Sequence, residues 1–101
     1  MWNGKALNGI YDFVPSFNLA TGQTNYDLKS NQSSSFDNIK VAATIIIWTT
    51  QNISIRFNNS TFPAIPVDAG ESPAEFKFLN VSNIYITNAS GSTAAIKVML
   101  A

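Results

Sequence analysis

The side chains that most often perform chemistry in proteins are absent from this chain or scattered along it. The 101 residues include no histidine and no cysteine. Histidine general-base catalysis, thiol nucleophiles, disulfide frameworks and Cys/His zinc sites are therefore excluded. Eleven serines are present, but no histidine exists to activate one, and no glycine-rich phosphate-binding motif occurs. We predict a protein that is not an enzyme and that holds no cofactor and no metal.

The six carboxylates lie mostly in predicted turns, where such groups usually cap backbone N–H groups. They are Asp12, Asp27, Asp37, Asp68, Glu71 and Glu75. A glycosidase needs two carboxylates that face each other across a cleft, and the spacing here does not favour that arrangement. Asp68, Glu71 and Glu75 are close enough in sequence to share a calcium ion, but the spacing of a calcium-binding loop is absent. We interpret all six as turn caps and solvated loop charges.

Aromatic rings set among amides and hydroxyls are the one positive feature of the composition. Asn, Gln, Ser and Thr make up 34 residues, and 12 residues are aromatic. A Trp or Tyr ring presents a flat apolar surface with a polar edge, so Trp2, Trp48 and Tyr85 are candidates for stacking on a sugar ring. The competing interpretation, which we favour, is that Trp48 and Tyr85 complete the core or an interface.

The charge of the chain argues against nucleic acid and membrane surfaces as partners and favours association with its own copies. Six Lys and Arg residues balance six Asp and Glu residues, so the net charge is zero. Without a basic cluster, we predict binding neither to nucleic acid nor to a membrane surface. A neutral protein lacks the repulsion that keeps copies apart. Arg56, the only arginine, lies on a predicted outer strand face and is either an intersubunit hydrogen-bonding anchor or a solvated charge.

The elements that would position these residues are predicted to be strands, because Asn, Ser and Thr favour turns and strands over helices. Residues 1–38 are predicted to be an irregular, aromatic-rich N-terminal arm. Short strands are possible there at 11–14 and 24–28, with a loop at 31–35. No helix longer than one turn is expected.

Residues 39–101 alternate between apolar and polar positions and are predicted to form a strand meander. The predicted strands are 39–50, 53–57, 62–67, 75–79, 84–87 and 93–100. In the first, Ile39, Val41, Ala43, Ile45 and Ile47 share the inner face; in the last, Ala94, Ile96, Val98 and Leu100 point inward and Ala95, Lys97 and Met99 outward. We predict one all-β domain over 1–101, an antiparallel β-sandwich or jelly-roll-like barrel with an extended N-terminal arm.

The C-terminal strands and their turns form the most distinctive stretch of the sequence. Residues 81–98 read VSNIYITNASGSTAAIKV: an extended strand, an Asn-x-Ser-Gly turn and a last apolar strand. They follow ISIRFN at 53–58 and PVDAGES at 66–72. This pattern, over roughly the last 50–60 residues, resembles small all-β structural proteins of tailed-phage virions.

The resemblance implies a capsid decoration or cement protein, or another minor virion subunit, located in the virion and assembled in the host cytoplasm. Its expected partners are the major capsid protein or other virion subunits and its own copies, with a trimer favoured. The N-terminal part is similar to arms that such subunits lay across neighbours. The residues predicted to lie in interfaces are Trp2, Phe13 and Phe17 in the arm, Arg56 on a strand, and Phe62 and Ile65 in an exposed loop.

The alternative hypothesis is a carbohydrate-binding or receptor-binding β-sandwich module. It requires Trp48 or Tyr85 to be exposed on a sheet face rather than buried in the core.

Overall fold

A computed structural model describes residues 11–77 and 79–101, and these residues form eight strands in two four-stranded antiparallel sheets. The strands are β1 (Asp12–Leu19), β2 (Tyr26–Asp27), β3 (Ile45–Thr49), β4 (Ile53–Phe57), β5 (Ile65–Val67), β6 (Ala74–Phe76), β7 (Ile84–Thr87) and β8 (Ala94–Leu100). Two short helices, α1 (Leu28–Asn31) and α2 (Ser33–Asn38), and a 3₁₀ turn (Ala69–Glu71) connect them. No helix in this described part is long and apolar enough to cross a membrane.

The strand order is that of a jelly roll. The first sheet, called sheet A, has the order β1-β8-β3-β6, and the second, sheet B, has the order β2-β7-β4-β5. Apart from β4 and β5, neighbouring strands in each sheet are distant in sequence, and the chain crosses repeatedly between the sheets, as in two combined Greek keys. The predicted all-β sandwich with a jelly-roll-like topology is confirmed.

The core lies between the two sheets and follows the predicted alternation in three strands. In β8 the even-numbered residues face the core, while Ala95 and Lys97 are exposed. Ile53 and Ile55 of β4 are buried, and so are Ile84 and Ile86 of β7. Apolar side chains at every second position bury one face of each strand, and this burial is the main force that holds the sheets together.

The prediction of one long strand over 39–50 is wrong, because β3 begins only at Ile45. Val41 and Ala43, which we expected inside, are exposed, while Ala42 is buried. Ala42 forms an isolated bridge with Val81, with N–H···O distances of 2.7 and 3.0 Å in the two directions. The inward face of the chain therefore changes between this bridge and β3, which a single alternating strand cannot do.

The prediction that the first 38 residues are irregular is also wrong from residue 12 onward. β1 is the longest strand described and pairs with β8 along most of its length. The serine run that we predicted to be a loop begins helix α2, and Leu28 and Phe36 anchor the two helices in the core. Serine has a modest helix propensity, so the burial of these two apolar side chains overrides the local preference.

Candidate functional site

The outer face of sheet A carries the most apolar surface in the described part of the chain. Residues that alternate with the core positions of β1, β8 and β3 face away from the sandwich. Phe13 pairs with Met99, which pairs with Ile46, so three apolar side chains form one row across the sheet. Lys97 pairs with Trp48 in the next row. The jelly-roll strand order thus brings together residues that are far apart in sequence.

Tyr11, Phe13, Trp48 and Lys97 form a contact group that we call the aromatic cluster. The ring centroids of Tyr11 and Phe13 are 6.0 Å apart with edge-to-face geometry, and those of Phe13 and Trp48 are 6.3 Å apart. The Lys97 ammonium lies 4.7 Å from the Phe13 centroid and 5.6 Å from the Trp48 centroid. Both distances are within the range of cation–π attraction. Tyr11 is 52% exposed and Phe13 is 38% exposed, so much of the cluster faces solvent.

Trp48 is held in place by a second, smaller apolar group on the same face. Ile46 and Met99 are buried there and are packed against Trp48 and Ala101. Met99 lies on the outer side as predicted, yet only 1% of it is exposed. A ring that rests on buried neighbours loses little side-chain entropy when it binds something.

A shallow depression of about 360 Å³ lies beside the cluster, and we call it the Trp48 depression. Its lining residues come from β1, β3, the residue after β3, and β8: Ser16, Trp48, Thr49, Thr50, Ala95, Ile96 and Lys97. Ala95 leaves space at the centre because its side chain is a single methyl group. The Ala95 N–H donates to Thr50 Oγ1 at 2.9 Å, and the Thr50 N–H donates to the Ala95 carbonyl at 3.1 Å. These two hydrogen bonds hold the backbone of Thr50 and Ala95 together at the base of the depression.

A β-bulge places Ser16 at the rim of this depression. The pairing of β1 with β8 shifts register between Val14 and Phe17, so two residues of β1, Pro15 and Ser16, lie opposite the single residue Lys97 of β8. Proline has no N–H to donate to a strand ladder, and an edge strand with a bulge accommodates it. The bulge turns the Ser16 hydroxyl toward the region in front of Trp48.

The outer face of sheet B is polar by contrast. Tyr85 is half-buried there, between the paired residues Asp27 and Arg56. A second depression of about 380 Å³ lies near the β4–β5 edge and is lined by Asn52, Ile53, Ser54, Pro66, Asp68, Thr87, Ala89 and Ser90. Neither Trp48 nor Tyr85 belongs to the core between the sheets, although Trp48 packs against the smaller buried group of Ile46 and Met99. A role for either ring in an interface stays a prediction.

Arg56 is half-buried and hydrogen-bonded within its own chain, so it is not merely a solvated charge. Its Nε donates to the Phe62 carbonyl at 2.7 Å, and its Nη1 donates to Asn25 Oδ1 at 2.9 Å. Asn25 has a positive φ of 51°, a backbone conformation that Asn tolerates better than most residues. Arg56 therefore ties β4 to two loops of its own chain. A contact with another subunit stays a prediction for it.

The other predicted interface residues fall in different environments. Trp2 lies outside the described residues. Phe17 belongs to β1, stacks on Tyr26 with centroids 5.3 Å apart, and packs against the core, so its placement in a free arm is wrong. Ile65 lies in β5 and also packs against the core rather than in an exposed loop. Phe62 is 51% exposed, as expected for a loop contact, and Phe13 is part of the aromatic cluster.

The carboxylates are dispersed in the folded protein. Among the described residues, no group of three or more acidic side chains lies close enough together to hold a metal ion. Glu75 forms an exposed ion pair with Lys77 at 3.3 Å. Asp68, Glu71 and Glu75, which are close in sequence, therefore do not form such a group.

The Asp27 carboxylate is partly buried and accepts several hydrogen bonds, which together shift its pKa. Partial burial alone would raise the pKa of Asp27, but hydrogen bonds from the Asn83 amide, from the Ser30 N–H and hydroxyl, and from the Lys29 N–H outweigh it. The net pKa of Asp27 is lowered, because these donors stabilise the carboxylate form. The Ser30 N–H donates at 3.0 Å, so Asp27 is the N-cap of α1. Its role is to hold a helix end.

Sequence reasoning missed Lys97, Ser16 and Ala95 as site residues. Alternation placed Lys97 and Ala95 on the outer side of β8, but only the pairing of β8 between β1 and β3 brings them beside Trp48. Pro15 in a strand was the one available signal for the bulge that presents Ser16.

Comparison with known proteins finds no family model and no curated protein that matches this chain. The function is therefore argued from the fold and from the residues of the site.

Proposed function

We propose that this protein is a non-enzymatic structural subunit of a tailed-phage virion, which binds the capsid shell and associates with its own copies. The observation that carries the proposal is the aromatic cluster on the outer face of sheet A. Exposed Tyr11 and Phe13 lie next to each other in a chain of zero net charge. Adjacent exposed rings are typical of interface centres, whereas isolated exposed apolar residues are ordinary.

The fold supports the same proposal at the level of analogy. Jelly rolls are the common fold of virus capsid domains, but they also occur in lectins and other proteins. Fold alone does not decide function, so the argument depends on the cluster. The resemblance of the C-terminal part to virion proteins supports a particular kind of partner. We propose that this partner is another copy of this chain or a shell subunit.

The test is the solution mass of the intact protein, measured by light scattering after size exclusion. We expect a defined oligomer, with a trimer favoured. Tyr11→Ser and Phe13→Ser should each shift the population toward monomer by about tenfold in the association constant, because each substitution removes most of an apolar ring from the contact. Both residues lie outside the core, so the variants should retain the fold.

Val41→Ser is the matched control. Val41 is 55% exposed and is not part of the aromatic cluster, so its substitution removes exposed apolar surface without changing a cluster residue. The mass of this variant should equal that of the unmodified protein. A monomer at every concentration, or an oligomer that Phe13→Ser leaves intact, would argue against assembly through this face.

A second candidate function, carbohydrate binding, is favoured by the position of Trp48. This ring is half-buried on a sheet face, next to a depression whose lining includes three hydroxyl residues, Ser16, Thr49 and Thr50. A flat ring beside hydroxyl and amide groups is the arrangement that stacks on a sugar. The test is a titration of the protein with simple glycosides, monitored by tryptophan fluorescence.

A further inference from the structure

The Trp48 depression has the size and the walls to receive a single sugar ring. Its volume of about 360 Å³ is at the lower end of the range of small-molecule sites. Trp48 forms one wall, and the Ala95 methyl group forms part of the floor. The site is open on the solvent side, so it fits one ring of a longer chain rather than a molecule that is fully enclosed.

Lys97 adds a positive charge at the edge of this depression. Its ammonium lies between the rings of Phe13 and Trp48, which attract the cation but accept no conventional hydrogen bond from it. Within residues 11–77 and 79–101, the only ion pair is Lys77 with Glu75, and no hydrogen bond from the Lys97 ammonium is formed. An ammonium has three donors and no acceptor. Lys97 can therefore offer donors to an anionic ligand.

The neighbouring acids do not compete for Lys97. Glu75 lies on the far edge strand β6, where it pairs with Ile46 and contacts Lys77. Trp48 and Ala95, the nearest residues of the site on β3 and β8, are uncharged. Lys97 is the only charged residue among those that line the depression.

We propose that the Trp48 depression binds a hexuronic acid residue of an acidic polysaccharide. The sugar ring stacks on Trp48 above Ala95, and its carboxylate accepts hydrogen bonds from the Lys97 ammonium. Ser16 contributes a hydroxyl at the rim. This inference rests on the second candidate function, carbohydrate binding, and adds the charge of the ligand to it.

The combination of Lys97 with the Trp48 ring favours a sugar that carries a carboxylate over a phosphate or a neutral sugar. A phosphate with two charges is usually bound by several donors or by an arginine fork, and this depression offers a single ammonium. A neutral sugar would stack equally well and its hydroxyls could accept from the ammonium, but it would not pair with the positive charge. A carboxylate on a pyranose ring satisfies the ring and the cation together.

The experiment uses the full chain with Trp2→Phe, so that Trp48 is the only tryptophan and reports the site by fluorescence. The probes are matched pairs of methyl glycosides, glucuronide against glucoside and galacturonide against galactoside. We expect at least one uronide to bind about threefold to fivefold more tightly than its neutral partner, which is the size of an exposed ion pair. This preference should shrink at high salt.

Three variants locate the effect. Lys97→Met keeps the apolar stem and should abolish the preference for the uronide over its neutral partner. Ala95→Leu fills the floor and should weaken all glycosides by at least about tenfold, because the ring no longer fits. Lys77→Met removes a lysine that directly follows β6, outside the depression. It should change neither the preference for uronides nor the affinity for neutral glycosides.

The outcomes separate this inference from the function on which it rests. If neutral and acidic glycosides bind equally and Lys97→Met changes nothing, the uronic acid assignment is overturned but carbohydrate binding stands. If no glycoside of either pair changes the fluorescence, both are overturned. Thermal unfolding of each variant shows that a loss of binding is not a loss of fold, and Lys97→Gln should agree with Lys97→Met.

Discussion

Asn88 is the residue whose side chain does most to join separate parts of this fold. It is fully buried. Its Nδ2 donates to the carbonyls of Leu19 and Ser92, each at 2.9 Å, and its Oδ1 accepts from the N–H and hydroxyl of Ser90 at 3.0 and 2.6 Å. The side chain therefore ties the end of β1 to the β7–β8 turn. Asn88-Ala89-Ser90 is formally a glycosylation sequon, but an amide that is buried and donates twice is no acceptor for a glycan.

Replacing Asn88 should destabilise the protein strongly. Asn88→Ala removes both donors and leaves two carbonyls without them, so we expect the free energy of unfolding to fall by about 3 kcal/mol. Asn88→Asp should cost at least as much at neutral pH, because a carboxylate would face two carbonyl oxygens. Urea denaturation measures both. Asn18→Asp, on an exposed position of β1, is the control, and a loss under about 1 kcal/mol for Asn88→Ala would contradict this role.

Asp27 should make stability depend on acid pH. Its folded-state pKa is lowered by hydrogen bonds from Asn83, Ser30 and Lys29, so the unfolded chain binds the proton more tightly. Its contribution to stability is then complete above the unfolded-state pKa of about 3.9 and is lost as the pH falls through the lower folded-state value.

Asp27→Asn isolates this effect because Asn is also a good N-cap. The variant should be less stable than the unmodified protein at pH 7, and the gap should narrow as the pH falls below about 4. Chemical denaturation over this pH range measures the difference. A gap that stays constant down to the lowest pH at which the protein folds would show that the charge of Asp27 does not matter.

At the level of elements, β1 forms one edge of sheet A, and this edge is protected from pairing with other chains. Edge strands expose unpaired backbone groups that invite pairing with other chains. Here α2 covers part of the edge, since Ser35 Oγ donates to the Phe13 carbonyl at 3.1 Å. Pro15 and the bulge interrupt the rest. These features direct association away from the edge and leave the outer face of the sheet available.

Removing β1 should therefore unfold the protein rather than release an arm. A deletion of residues 1–20 takes away Val14 and Leu19 from the core and leaves β8 unpaired along one side. We expect loss of cooperative thermal unfolding, measured by circular dichroism. A deletion of residues 1–10 keeps every strand pairing described above and is the matched control. A folded, cooperative 1–20 deletion would show that β1 is dispensable.

The protein as a whole presents two dissimilar faces. The outer side of sheet A is aromatic with one lysine, whereas the outer side of sheet B carries Arg56, Tyr85 and Asp27 in a polar row. With a net charge of zero, long-range electrostatics neither drives nor opposes association. An assembly formed through the aromatic cluster depends on apolar burial.

An oligomer formed through the aromatic cluster should accordingly be insensitive to salt. Between about 0.05 and 0.5 M sodium chloride, screening removes most of the interaction between exposed charges but leaves apolar contacts in place. We expect the association constant, measured by sedimentation equilibrium, to change less than about twofold. The proposed preference for uronides at Lys97 provides a comparison within the same protein, because it should weaken over the same range of salt concentration. Dissociation of the oligomer at high salt would indicate an ionic interface instead.

The strands that could be predicted are those whose pattern is local. β4, β7 and β8 alternate cleanly, and side chains of period two define a buried face whatever the partners of a strand are. The sandwich class and the outward positions of Ala95 and Lys97 follow from the same pattern. Pro66 fits the position of β5 at the edge of its sheet, because proline has no N–H to donate to a strand ladder.

The remaining features depend on contacts between residues far apart in the chain. The serine run becomes helical because Leu28 and Phe36 are buried, and residues 39–44 change face because Ala42 pairs with Val81. The site itself arises from the pairing of β8 with β1 and β3, which brings Lys97 between Phe13 and Trp48. The alternation of apolar and polar residues predicts which side of a strand is buried. The order of the strands in each sheet depends on the packing of the entire chain, and this packing brings the residues of the site together.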